Sequence, residues 1–149
     1  MIPSVTNGPL INSAETTTNK INYDTLDFDP STIQYAQFWR SWPTNWNTFY
    51  VKFIWSASST GDVVWGCGAY SFANNTALDT YSATAQETTS SLSSANGILL
   101  SANTSAITPG GTIANGAPTY FRIYRNASSG SDTLAVDSKL LGILITKAS

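Results

Sequence analysis

The 149-residue sequence contains no histidine, one cysteine and one methionine, and only 11% of its residues are charged. Without histidine the chain cannot build a Ser-His-Asp triad, a Cys-His pair or a histidine-ligated metal centre. A single cysteine excludes an internal disulfide bond, so the fold must be held by its core or by association with other chains. Seven basic residues against nine acidic ones give a net charge of −2, which does not favour binding to nucleic acid.

The sequence also lacks the segments that direct a protein into or across a membrane. No stretch is apolar over the roughly 18 residues that a membrane-spanning helix requires, and the first eight residues lack the basic and apolar regions of a signal peptide. The composition, with 20 serines, 20 threonines and five tryptophans, is nevertheless typical of surface-exposed β proteins. We therefore expect no membrane partner, and either a processed N-terminus or a route to the outside without a signal peptide, such as incorporation into a virus particle.

Alternation of apolar and polar side chains predicts β-strands along most of the chain. The clearest case is residues 48–56, where Phe49, Val51, Phe53 and Trp55 share one face. Three further strands are predicted at residues 62–72, 119–126 and 139–146. The last of these is so apolar that it is either buried on both faces or covered by a partner on its outer face. Weaker strand candidates lie at residues 18–28, 32–42, 82–88 and 97–102.

Turn signatures rich in glycine, asparagine, serine and proline separate these segments at short intervals. About eight short strands with such turns predict one all-β domain at residues 19–149, an antiparallel β-sandwich of the jelly-roll type. Residues 1–18 show little periodicity and include two prolines, which predicts an extended N-terminal arm. A short helix is predicted at residues 74–81, where an asparagine could cap the first turn and Leu78 and Tyr81 could pack inward.

Three carboxylates, those of Asp24, Asp27 and Asp29, fall within six residues and could offer oxygen ligands to a calcium ion. Their spacing does not match an EF-hand loop, and alternation puts Asp24 on the opposite side from the other two. Solvated positions at a strand end and turn are the favoured interpretation, and whether the cluster binds a cation is open. The other acidic residues are isolated, so we expect no paired carboxylates, no cofactor and no enzyme.

Tryptophans are concentrated in one segment, where Trp39, Trp42 and Trp46 lie within eight residues. Aromatic side chains flanked by asparagine and threonine are typical of surfaces that stack on sugar rings. Aromatic side chains also fill sandwich cores and subunit interfaces, which is the favoured interpretation here. Tyr120 and Tyr124, on the potentially outward face of a predicted strand, leave the same two alternatives open.

The single cysteine, Cys67, lies between Gly66 and Gly68 in the predicted strand at residues 62–72. Glycine inside a strand usually marks a bulge or the close approach of another backbone or a large ring. Since the cysteine has no basic neighbour to activate it, we expect its thiol to be buried and inert.

Five segments taken in order resemble small β-sandwich proteins and domains from the structural regions of tailed bacteriophages: residues 19–28, 35–38, 55 with 61–66, 121–126 and 130–142. The most specific feature is the pattern Arg-x-x-Ser-x-Gly-Ser-Asp-Thr-Leu-Ala-x-Asp-x-Lys-Leu-Leu-Gly, which starts at Arg125. The resemblance implies a virion structural role without catalytic residues, as a capsid decoration (cement) protein or as a fibre or tail domain. A start at methionine with only a short arm favours a free-standing decoration protein.

We therefore predict a bacteriophage virion structural protein at the capsid surface, made in the host cytoplasm. The expected partners are further copies of the chain, with a homotrimer favoured, and the major capsid protein or another virion protein. A low-charge, hydroxyl-rich surface suits such contacts because neutral hydrogen bonds are not screened by salt. The alternative is a host-adhesion or carbohydrate-binding domain of a tail or head fibre that uses Trp39, Trp42 or Trp46.

Overall fold

The computed structural model describes residues 1–148, which form two packed β-sheets and one turn of 3-10 helix at Leu78–Thr80. The strands in chain order are β1 (Ile2–Pro3), β2 (Leu10–Glu15), β3 (Asn22–Phe28), β4 (Gln34–Ser41), β5 (Phe49–Ser56), β6 (Gly61–Ser71), β7 (Gln86–Leu92), β8 (Leu99–Leu100), β9 (Gly110–Gly111), β10 (Pro118–Arg125) and β11 (Ser138–Lys147). The chain is thus an all-β, sandwich-like fold, as predicted. Within residues 1–148, the structure contains no helix with the length and hydropathy needed to cross a membrane.

The two sheets are built from strands that are mostly distant in sequence. Sheet A has six strands in the order β1-β4-β10-β6-β7, with β9 beside β6, and sheet B has five strands in the order β2-β3-β11-β5-β8. Strand β9 runs parallel to β6, and the other pairs are antiparallel. Because β10 lies between β4 and β6, the outward side chains of these three strands form one continuous surface.

Strand β5 illustrates how alternation in the sequence produces the core between the sheets. Phe49, Val51, Phe53 and Trp55 are completely buried, as predicted. Across the sandwich, the ring centroid of Phe53 lies 5.3 Å from that of Trp65 in β6, with the two rings nearly parallel. Burying a side chain of this kind contributes about 1.5–3 kcal/mol, so each such strand supplies a substantial share of the folding free energy.

The apolar sequence of β11 left two interpretations open: burial of both faces, or cover of the outer face by a partner. The first is wrong, because one face of the strand is exposed. Leu140 is buried in the core, whereas Leu144 is 44% exposed on the outer face of sheet B. A shift of register against β5 occurs between Leu140 and Gly142. Cover by a partner on the outer face stays a prediction.

The prediction of an extended arm at residues 1–18 is wrong. Ile2–Pro3 pairs with β4 at the edge of sheet A, and Leu10–Glu15 pairs with β3 at the edge of sheet B. Most side chains of both strands are exposed, so no buried face produces the alternation from which a strand is predicted. The N-terminal segment covers one edge of each sheet, a position that blocks unwanted pairing with other chains.

The helix predicted at residues 74–81 is also wrong, since only Leu78–Thr80 forms a turn, of 3-10 type. The residue before this turn is Ala77, whose methyl side chain cannot cap it. Asn75 instead adopts a positive φ of 65°, a conformation that asparagine tolerates in turns. Leu78 is 74% exposed rather than packed inward, and a helix this short gains too few hydrogen bonds to offset the cost of nucleation.

Candidate functional site

Aromatic side chains cover part of the outer face of sheet A around the central strand β10. Trp39 of β4 and Tyr120 of β10 are cross-strand partners whose ring centroids lie 5.3 Å apart. Phe72 lies 5.3 Å from the ring of Trp39, and Tyr81 lies 5.2 Å from the ring of Tyr120. Tyr70 of β6 contacts the rings of both Phe72 and Tyr81. These five side chains are termed the aromatic patch.

The aromatic patch forms one wall of a groove of about 380 Å³. The groove is lined by Phe72, Leu78, Asp79, Tyr81, Tyr120 and Arg122. Trp39, which is 43% exposed, extends the wall because its ring contacts those of Phe72 and Tyr120. The groove therefore combines ring faces, two phenol hydroxyls and charges of both signs, a set of groups that can stack on a flat ligand and bind its polar substituents.

Arg122 of β10 lies between two tyrosine rings of the outer face. Its guanidinium carbon is 5.0 Å from the ring centroid of Tyr35 and 4.6 Å from that of Tyr81. Its cross-strand neighbours are Gln37 and Gly68, and within residues 1–148 it forms no salt bridge. Cation–π contacts with these two rings hold the guanidinium in place and leave its positive charge without an acidic partner in the part of the chain described.

The phenol groups of the groove stay protonated over the neutral pH range. Burial raises the pKa of both Tyr81 and Tyr120, and the nearby positive charge of Arg122 offsets only part of this rise. The Tyr120 hydroxyl donates a hydrogen bond to the side-chain oxygen of Gln37 in β4. The Tyr81 hydroxyl is therefore available as a neutral donor and acceptor, whereas the Tyr120 hydroxyl, whose proton bonds to Gln37, is available as an acceptor.

Two glycines of β6 make room for tyrosine rings on this face. A Cβ atom at Gly66 would lie 2.2 Å from Cζ of Tyr124, and one at Gly68 would lie 3.0 Å from the hydroxyl of Tyr81. Of the alternatives that the sequence left open for these glycines, a bulge or the close approach of a backbone or a large ring, the structure shows the last. The Tyr124 hydroxyl donates to Glu87 at 2.9 Å, and burial followed by this contact raises its pKa.

Trp42 lies in the core and takes no part in the aromatic patch. It is 2% exposed, its ring contacts those of Phe49 and Phe121, and its indole N–H donates to the carbonyl of Trp46 at 2.7 Å. Trp46 is partly buried and packs against the same end of the core. Of the two alternatives that the sequence left open, the core and a sugar-binding surface, these two tryptophans therefore belong to the core.

Trp39 and Tyr120 are thus the only two of the predicted aromatic residues that meet in the patch, and Tyr124 lies beside it over Gly66. Alternation along β10 indicates that Arg122 points outward. An outward arginine is common on protein surfaces, however, so the sequence does not identify it as a site residue. Tyr81 follows a turn-rich segment without periodicity, so no sequence signal predicts that its side chain lies against Gly68 of sheet A.

The three aspartates of residues 24–29 do not converge on one point. Asp24 accepts a hydrogen bond from Ser13 of β2 at 2.7 Å, and Asp29 accepts from both the backbone and the hydroxyl of Ser31. The hydroxyl and backbone hydrogen bonds from Ser31 lower the pKa of Asp29. Within residues 1–148, no three histidine, cysteine or acidic side chains are grouped as a metal site would require, so the geometry assigns these carboxylates, Asp27 included, to strand and turn contacts.

Apolar side chains are exposed on the outer face of sheet B, on the opposite side of the sandwich. They are Ile21, Ile98, Leu100 and Leu144, and together with the half-buried Leu141 they are termed the apolar patch. Ile21, Ile98 and Leu141 line a shallow cavity of about 210 Å³. Contiguous exposed apolar side chains commonly mark a surface that binds another protein.

Two surfaces on opposite faces are therefore candidates for binding: the aromatic patch with its groove, and the apolar patch. No protein-family model matches this chain, and no curated protein matches its sequence. The geometry of these two surfaces is accordingly the basis on which a function can be assigned.

Proposed function

We propose that this chain is a structural protein of a bacteriophage virion, a capsid decoration protein that forms an oligomer and stabilises the shell. The strand order supports a jelly roll, because sheet B contains the four-strand run β3-β11-β5-β8, sheet A contains the run β4-β10-β6-β7, and the chain passes back and forth between the two runs. Jelly rolls are common to viral capsid proteins and lectins. The phage-like pattern that starts at Arg125 favours the first of these settings.

The observation that carries this proposal is the apolar patch of sheet B. Leu144 of β11 and Leu100 of β8 are paired with outward-facing residues of β5 and are exposed on the same face as the cavity lined by Ile98 and Leu141. Covering such side chains contributes about 25 cal/mol for each Å² of apolar surface removed from water. We infer that a second copy and the capsid shell provide this cover, with a trimer as the closed assembly.

The test combines native mass spectrometry with binding of the purified chain to capsids that lack it. The unaltered chain should form a discrete oligomer and bind the shell, and Leu144→Lys should weaken one or both by at least tenfold without changing the β circular-dichroism spectrum. Val5→Lys is the matched control, because Val5 is fully exposed outside both patches. A monomer with no affinity for capsids would refute the proposal.

A second candidate function, host adhesion through carbohydrate binding, is favoured by the aromatic patch. Ring faces such as those of Trp39 and Tyr120 stack on sugar rings, and phenol hydroxyls bond to sugar hydroxyls. The two functions are compatible, since a chain bound to a shell through sheet B would present sheet A outward. Titration with host polysaccharide should shift the tryptophan fluorescence of the native chain, and Trp39→Ala should weaken the binding.

A further inference from the structure

We propose that the groove on sheet A binds an acidic saccharide, with Trp39 and Tyr120 against the sugar ring and Arg122 against its carboxylate. This inference rests on the second candidate function, host adhesion, and names the ligand class of the same site. It is carried by the position and charge of Arg122 rather than by the aromatic side chains alone.

The spacing along β10 suits a sugar ring with an acidic substituent. Tyr120 and Arg122 are two residues apart on the outward face, which separates them by about 6.7 Å along a strand. A pyranose ring packed into the angle between the rings of Trp39 and Tyr120, which meet at 65°, would therefore bring a substituent within reach of the guanidinium. The groove volume of about 380 Å³ lies within the range of small-ligand sites, roughly 300–1,000 Å³.

The charge distribution favours a carboxylate over a neutral sugar. Arg122 is held between the rings of Tyr35 and Tyr81, and residues 1–148 provide it with no salt bridge. A fixed, partly desolvated guanidinium binds a carboxylate through two parallel hydrogen bonds, and this geometry is specific for a planar anion.

The other charged group lining the groove is Asp79, an exposed residue of the 3-10 turn. A carboxylate at the rim can accept hydrogen bonds from sugar hydroxyls. One guanidinium and one carboxylate in the same groove give no net positive charge, which does not favour binding of a polyphosphate such as nucleic acid. A singly acidic, hydroxyl-rich ligand matches both groups, and uronic acid units have this composition.

The experiment compares oligosaccharides that differ only in charge. The full chain is titrated by calorimetry with oligomers of galacturonate, mannuronate and glucuronate, and with their methyl esters, in which the carboxylate is neutral. At least one acidic oligomer should bind about tenfold more tightly than its ester, and added salt should reduce this preference. Equal affinities for acid and ester would overturn the inference while leaving carbohydrate adhesion standing.

Variants then assign the preference to one residue. Arg122→Gln should abolish the difference between acid and ester, whereas Trp39→Ala should weaken binding of both. Arg40→Gln is the matched control, because Arg40 is an exposed arginine of β4 that does not line the groove. A preference that survives Arg122→Gln in a folded variant would overturn the assignment.

Failure of every oligomer to bind the native chain would overturn both the inference and the adhesion function. The capsid proposal would be unaffected, because it has its own test.

Discussion

Arg125 and Asp132 form a bidentate ion pair whose two side chains are 0% and 1% exposed. Nε of Arg125 donates to Oδ2 of Asp132 at 3.0 Å, and Nη2 donates to Oδ1 at 2.6 Å. The guanidinium also donates to the carbonyls of Phe28, Leu134 and Val136. Because Phe28 ends β3 in sheet B and Arg125 ends β10 in sheet A, this one side chain joins both sheets and the loop before β11. The sequence pattern that starts at Arg125 therefore has a structural role at Arg125 and at Asp132.

Removing one partner of this pair should strongly destabilise the fold. Asp132→Ala leaves a buried guanidinium without its counter-charge, and we expect the free energy of unfolding to fall by about 3–5 kcal/mol. Urea denaturation followed by circular dichroism measures the loss. Glu15→Ala is the control, because Glu15 pairs with Lys20 at the surface and such a pair contributes at most about 1 kcal/mol. Similar losses in both variants would contradict the role given to the buried pair.

The thiol of Cys67 should be unreactive in the folded protein. It is completely buried in β6, and burial raises its pKa to about 12, so almost none of it is thiolate at pH 8. We expect no measurable reaction with a thiol-specific reagent during the time in which the urea-denatured chain reacts completely. Rapid labelling of the native protein would show that β6 opens or that the thiol is accessible.

The stability of the fold should respond to pH through Asp137. Burial, followed by the negative charges of Asp29 and Asp27, raises the pKa of Asp137 above its ordinary value of 3.8. The folded state therefore disfavours the charged carboxylate, and the contribution of this group to stability is greatest below pH 3.8 and is lost as the pH rises through the folded-state pKa.

The variant Asp137→Asn removes the charge and should raise the melting temperature at pH 7 but not at pH 3. Because the side chain is largely exposed, the gain should stay below about 1 kcal/mol. Calorimetric scans of both proteins at the two pH values measure it. An equal gain at both values would show that the effect does not come from ionisation.

Deleting residues 1–18 should give a folded protein that is less stable and more prone to associate. The deletion removes β1 and β2 and exposes the edges of β4 and β3, whose free backbone groups can pair with other chains. We expect the β circular-dichroism spectrum to persist, the melting temperature to fall and light scattering to rise with concentration. Deleting Met1 alone should change none of these. An unchanged melting temperature with no association would mean that the edges need no cover.

Much of the sandwich could be predicted from sequence because its strands have one deeply buried face. The alternation at residues 48–56 corresponds directly to the buried side chains of β5. Strands β1 and β2 could not be predicted in this way, since none of their side chains is fully buried and no alternation results.

The aromatic patch depends on information that a single sequence does not contain. Trp39 and Tyr120 are far apart in the chain and meet only because β4 and β10 are neighbours in sheet A. Tyr81 reaches the patch from a turn, across the gap left by Gly68. Periodicity indicates which way a side chain points, but strand order decides what it meets.

The two patches lie on opposite faces of the sandwich, and this arrangement affects how many ligand-binding sites one particle could present. A decoration protein is present in many copies on one particle, so each groove on sheet A would be repeated over the whole surface at fixed spacing. Under the proposals above, a single groove needs only weak affinity for a uronate unit, because simultaneous engagement of many grooves can multiply apparent affinity by about 10²–10⁴. A protein that stabilises a shell through one face would then make that shell a multivalent receptor-binding surface through the other.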